Sequence, residues 1–95
     1  MPDIRWLIER IKDETNGDSI PISYEENGDD YIIFSIMPKN ADKKAFLKGE
    51  YPDTTLVYSI EEDKFHNLFD PYLKLSKRTY RTNYIFPEAE ILLKK

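Results

Sequence analysis

The pattern closest to a catalytic signature is Pro52-Asp53 followed by Glu62-Asp63-Lys64, which spells the short PD…(D/E)-x-K arrangement of metal-dependent nucleases. That chemistry gathers carboxylates from neighbouring strands around a divalent ion and holds a lysine near the attacking water. Here Glu62 and Lys64 fall where the sequence reads as a helix opening, and a pattern this short often arises by chance. His66 is the one histidine and there is no cysteine, so thiol nucleophiles, thiolate zinc sites and disulfides are excluded together. His66 has the chemistry of a general base, but no spacing sets a nucleophile beside it, and a partly buried, hydrogen-bonded structural role is the expectation. No phosphate-binding G-x-x-x-x-G-K-[ST], dinucleotide G-x-G-x-x-G or nucleophile-elbow G-x-S-x-G occurs. The expectation is therefore no catalytic residue, no metal and no cofactor.

Binding chemistry is better represented. Trp6 lies about 150° around the helical wheel from the apolar stripe Ile4, Leu7, Ile8 and Ile11. Its helical neighbours are Glu9, Arg10 and Asp13, so the indole is ringed by charge. A large rigid ring beside an arginine is the composition of an interface anchor, because it desolvates much area at little entropic cost. Tryptophan is well buried on average, so packing beneath the C-terminal segment is the more ordinary outcome for the same ring. Glu25, Glu26, Asp29 and Asp30 surround a turn, and Glu61, Glu62 and Asp63 form a second acidic group. Their spacing does not match an EF-hand. Negative loops of this kind steer a cationic partner surface into encounter.

A third group interleaves cations with rings: Tyr72, Lys74, Lys77, Arg78, Tyr80, Arg81 and Tyr84. Phosphates held by charge and bases stacked on rings would suit single-stranded nucleic acid. The same residues equally describe a solvated sheet edge whose cations deter strand pairing.

The charge distribution ranks these options. Residues 1–70 carry 8 Lys/Arg against 16 Asp/Glu, while residues 71–95 carry 6 against 2, within a net charge of −4. An acidic whole argues against a sequence-independent nucleic-acid coat. At 95 residues, 40% hydrophobic and 34% charged, the chain is one domain, 1–95, with enough apolar surface for a core. The N-terminal residues lack a basic stretch followed by an apolar one, and the longest apolar runs fall far short of the roughly 20 residues a membrane helix needs. A cytoplasmic location and no membrane partner are expected.

Several elements would have to position these groups. A helix is predicted over 3–16, capped by Asp3 and stopped by Asn16-Gly17. Ile20, Ile22 and Tyr24 alternate, as do Ile32, Phe34 and Ile36, which predicts a hairpin. A two-residue turn at Asn27-Gly28 would send the two apolar sets to opposite faces. A loop of three or five residues, aligning Tyr24 with Ile32 and Ile22 with Phe34, keeps them together. The second strand is apolar on both faces and should lie inside the sheet, and Pro21 should sit where no N–H is needed. Asn40 is the expected cap of a short helix through Leu47, closed by Gly49. Strands are predicted over 54–58 and 79–86. Ser59-Ile60-Glu61-Glu62 matches a capping box, predicting a helix near 60–70 that carries Phe65, Leu68, Phe69 and Tyr72 and stops at Pro71. Residues 87–95 read equally as a terminal helix or a returning strand.

Together these describe a small α+β domain, a mostly antiparallel sheet of three to five strands with an N-terminal helix and one or two more helices on one face. The leading functional expectation is a non-enzymatic protein-binding domain that covers a basic surface on another protein through Trp6, Glu9, Arg10, Asp13 and the acidic hairpin. In size, charge and lack of catalytic motifs it is comparable to phage-encoded inhibitors of host defence nucleases. Single-stranded nucleic-acid binding through 72–84 is the alternative, and a small nuclease built on Asp53, Glu62 and Lys64 the least favoured. A homo-oligomer using the hairpin edge or the first helix is also compatible with the sequence.

Overall fold

The first helix, α1 (Ile4–Glu14), follows directly from its periodicity. Asp3 caps it by accepting the Arg5 backbone N–H at 2.9 Å. Thr15 closes the last turn, its hydroxyl donating to the Ile11 carbonyl at 2.7 Å. Asn16 and Gly17 then take positive φ, 55° and 74°, and the Gly17 N–H bonds the Lys12 carbonyl at 2.7 Å. The predicted 3–16 thus gives its outermost residues to the cap and the stop. Leu7 and Ile11 are fully buried, whereas Ile4 and Ile8 are partly so.

The computed structural model describes residues 3–48, 55–67, 70, 71, 73–75 and 84–93. After α1 come β1 (Ser19–Asn27), β2 (Tyr31–Pro38), α2 (Lys43–Leu47), β3 (Thr55–Ser59), β4 (Lys64–Asn67), β5 (Tyr84–Ile85) and α3 (Pro87–Leu93). The five strands form one antiparallel sheet in the order β4-β3-β2-β1-β5, which places β2 at its centre as its two apolar faces require. The terminal segment, ambiguous in sequence, is helical over α3.

The β1–β2 connection is the three-residue turn 28–30, with Gly28 supplying a φ of 61°. The odd loop keeps Tyr24 on the face of Ile32, Phe34 and Ile36. Ile20 and Ile22, beyond the irregularity at Pro21, pack with Met37 on the opposite face, so the two apolar sets do not share one face as expected. The register also differs from expectation, since Tyr24 pairs with Phe34 and Glu26 with Ile32. Running the ladder out to Asn27↔Tyr31 adds rungs and buries Asn27. The irregularity, between Pro21 and Ser23, then shifts the register and removes Ile22 from its expected pairing with Phe34. Pro21 lies at this bulge, beyond the two rungs that β5 makes with β1.

Two apolar clusters flank the sheet. Leu7 and Ile11 of α1 pack on Ile32, Phe34, Ile36 and Tyr58, with Tyr24, Leu56 and Phe65 around them. Ala89 of α3 packs with Ile22 and Met37, joined by Ile20, Ala41 and Phe46. Ile36 and Met37 are adjacent on β2 and so project to opposite faces. The α+β class holds, but the helices divide between the two faces instead of sharing one, because β2 is apolar on both and each side must be covered.

The expected helix over 60–70 does not form. Residues 60–63 make a turn and β4 returns along β3, pairing Tyr58 with Phe65 and Val57 with His66. Half of the capping box survives, in that the Glu62 N–H donates to the Ser59 hydroxyl at 3.3 Å. Asp63, however, adopts a φ of 53° and turns the chain out of the helical path. The reward is aromatic packing: Phe65 lies 5.1 Å from Tyr58 and 6.1 Å from Phe34 between ring centroids. The cap of α2 is Asp42, which accepts the Lys44 N–H, in place of Asn40. Gly49, Thr54, Leu68, Phe69, Tyr72 and strand positions 79–83 lie outside the described residues.

Candidate functional site

Trp6 sits on the outward side of α1 with half of its surface exposed (50%), and is not sealed under the C-terminal segment. The ring is held from one side. Arg10, one helical turn on, stacks its guanidinium 4.8 Å from the indole centroid. The same guanidinium lies over Phe65 and Tyr58, at 5.5 Å and 5.7 Å. It donates to the Asp63 carboxylate and, at 3.0 Å, to the Asp63 backbone carbonyl. Asp63 also accepts the Tyr58 hydroxyl.

Each charge in this network is fixed by its neighbours. Hydrogen bonds from Tyr58 and Arg10 hold the Asp63 carboxyl below its ordinary value. The bond to Asp63 raises Arg10 against the opposing effect of burial. Burial, then the bond to Asp63, pushes the Tyr58 hydroxyl up. Arg10 therefore spans α1 and the β3–β4 turn as a permanent cation, with Trp6 laid against it. The positive-φ turn at Asp63 makes this possible, since it brings both the carboxylate and the carbonyl of one residue to a single guanidinium.

The two acidic groups, 30 residues apart in sequence, meet at one end of the sheet. Antiparallel pairing places turn 28–30 beside turn 60–63, and the Ile60 N–H donates to the Asp30 carbonyl at 3.0 Å. Asp29, Asp30, Glu61, Glu62 and Asp63 are all exposed there. Glu25 and Glu26 are half-buried on β1 and project to opposite faces, Glu26 opposite Ile32 on the α1 side and Glu25 opposite Ile33 on the other. Glu9 and Asp13 stay exposed on α1, and Glu9 lies 3.7 Å from Lys12. The structure thus joins Trp6 and Arg10 to the β3–β4 acids and separates Glu25 from them. Asp63 is the residue whose role the sequence least reveals; an Asp just before a strand, at a position tolerant of positive φ, is the available signal.

His66 is on a strand, with its side chain almost buried (8% exposed). Nδ1 faces the Asp70 carboxylate at 2.9 Å, and Nε2 faces Glu62. Both ring nitrogens are occupied, which fits a structural role better than that of a free base. Asp70 first and then Glu62 raise its pKa, against desolvation and the nearby Lys64. A folded-state value above the unfolded value of about 6.5 makes the imidazolium stabilising at low pH. That contribution is fully present below the unfolded value and is lost as pH rises through the folded one. The urea midpoint should fall across this window, and the fall should disappear in His66→Gln. A His66 proton resonance titrating at or below the ordinary value would contradict it.

Of the nuclease pattern, Pro52 and Asp53 lie outside the described residues, while Glu62 sits in the turn 60–63 and Lys64 begins β4 instead of opening a helix. Among the described residues no group of three or more His, Cys, Asp or Glu is placed to hold a metal ion. Of the basic-aromatic group, Tyr72, Lys77, Arg78, Tyr80 and Arg81 lie outside the described residues. Lys74 is exposed, its backbone N–H donating to the Tyr31 hydroxyl at 3.3 Å. Tyr84 is 43% exposed and packs 5.5 Å from both Tyr24 and Phe86. Among the described residues no helix is long and apolar enough to cross a membrane. Set against known proteins, the chain matches no family model, no curated protein and no solved structure.

Proposed function

We propose that this domain is a non-enzymatic protein-binding module that docks through Trp6 and the acidic end of its sheet onto a basic surface of another protein. The observation that carries this reading is the half-exposed indole held in place by Arg10, which is itself tied to Asp63. An anchor ring that is already ordered gives up little rotamer freedom on binding, so more of its desolvation energy is retained as affinity. Asp29, Asp30, Glu61 and Glu62 supply the negative field beside it, which accelerates encounter with a cationic surface. Occlusion of such a surface, as by a small inhibitor of a nucleic-acid-binding enzyme, is the mechanism that this chemistry suits best.

The single tryptophan gives the test. Emission from the free protein should be red-shifted and readily quenched by acrylamide. It should move to the blue when a bound partner covers the ring. Glu61→Ala, at an exposed turn position, should slow association and leave the fold intact, with the difference shrinking as salt is added. Blue, unquenchable emission from the free monomer would remove the anchor and this reading with it.

A further inference from the structure

On the other flank of α1 lies a half-open groove of about 630 Å³, walled by Ile4 and Ile8 of the helix and by Pro21, Tyr24, Tyr84, Phe86 and Pro87. This is the volume range of small-molecule sites. Three rings form its floor: Tyr24 lies 5.5 Å from Tyr84 and 5.7 Å from Phe86, and Tyr84 lies 5.5 Å from Phe86. The mouth is cationic in an otherwise acidic chain. Arg5, Lys12 and Glu9 line it, and Glu9 is paired with Lys12 at 3.7 Å, which leaves the Arg5 guanidinium with no side-chain partner among the described residues.

The backbone beside the groove narrows the choice of occupant. β5 already pairs with Ser23 and Tyr24, and the Phe86 N–H donates to the Ile22 carbonyl at 2.9 Å. An extended peptide therefore cannot add to β1 at Ser23 and Tyr24, where β5 already lies. What remains on offer is ring faces and a guanidinium unpaired among the described residues, the combination that stacks a flat base and pairs with a phosphate. We infer that this groove is a nucleotide-binding site, with the base against Tyr84 and the phosphate at Arg5. It does not include the docking anchor, because Trp6 and Arg10 face the opposite flank of the helix, and Glu9 alone borders both.

The test is a titration of the full chain with adenosine 5′-monophosphate, followed by amide and ring resonances. Saturable shifts at Ile8, Tyr24 and Tyr84 are expected, with the Trp6 indole resonance unmoved. Arg5→Ala should weaken binding about tenfold, as should removing the phosphate by using adenosine. Tyr84→Ala should also weaken it about tenfold through lost stacking, and the exposure of that ring lets the variant keep its fold. Inorganic phosphate alone should leave the ring resonances in place. The site is refuted by the absence of saturable shifts up to about 10 mM, a millimolar Kd being the weak limit of specific binding. Shifts centred elsewhere, undiminished binding in both variants, or binding only by a longer single-stranded oligonucleotide would refute it equally.

Discussion

Phe34→Ala is expected to remove about 3–5 kcal/mol of stability, the largest loss of any single truncation in this fold. Phe34 is fully buried on the central strand, with Tyr24 and Phe65 both 6.1 Å away between ring centroids, under Leu7 and Ile11 of α1. Truncation forfeits the transfer energy of the ring and leaves a cavity that three elements border but none can fill without moving. A domain of this length has roughly 5–15 kcal/mol in total, so the loss is a large share of it. The urea midpoint should fall by roughly 2–3 M with little change in slope. Ile91→Ala is the matched control, because that side chain is 62% exposed on α3 and its removal should change stability by less than about 0.5 kcal/mol. Equal losses in the two variants would mean that Phe34 is not the centre of the core.

Trp6→Ala carries the second large effect, and it bears on binding instead of folding. A central anchor ring costs at least about 2 kcal/mol when truncated, which is roughly 30-fold in affinity or more. Half of the ring already faces solvent in the free protein, so the stability change should be small by comparison. Calorimetry or surface binding against the protein partner retained by the wild-type domain, paired with urea unfolding of the same variant, separates the two. Arg10→Lys sharpens the experiment. It keeps the positive charge but cannot reproduce the fork that meets the Asp63 carboxylate and carbonyl together while lying flat on the indole. Its affinity should fall between those of the wild type and Trp6→Ala, mainly through faster dissociation. Full affinity in Trp6→Ala would end the case for this ring as an anchor.

The hairpin and the abandoned helix show how far local pattern reaches. Alternation in Ile32, Phe34 and Ile36 set the parity of the β1–β2 pairing next to the turn, where Tyr24 joins their face. Beyond Pro21 the ladder slips by one residue and Ile20 and Ile22 enter the second cluster with Met37, which the apolar second face of β2 allows. Alternation could not separate registers two residues apart, since both bury the same face. That choice fell to the extra rungs reaching Asn27↔Tyr31 and to the turn at Gly28. Around Ser59 the local signal was sound as far as it went, and the Ser59–Glu62 bond formed. The helix lost because Phe65, as part of a strand, packs on Tyr58 and also on Phe34, which is far from it in the chain.

By itself, the order of residues determined the opening helix with its cap and stop, the apolar stripe that enters the core, the interior position of β2 and the outward side on which Trp6 stands. Those outcomes rest on periods of 3.6 and 2 and on local backbone chemistry, and so are written within a few residues of one another. Tertiary structure alone decided that Arg10 would reach Asp63 across 53 positions, that the two acidic turns would meet at one end of the sheet, and that Tyr24, Tyr84 and Phe86 would floor a groove beside Arg5. Each of these joins segments whose separation in sequence bears no relation to their distance in space, and only the packing of α1 and the pairing of the strands brings them into contact.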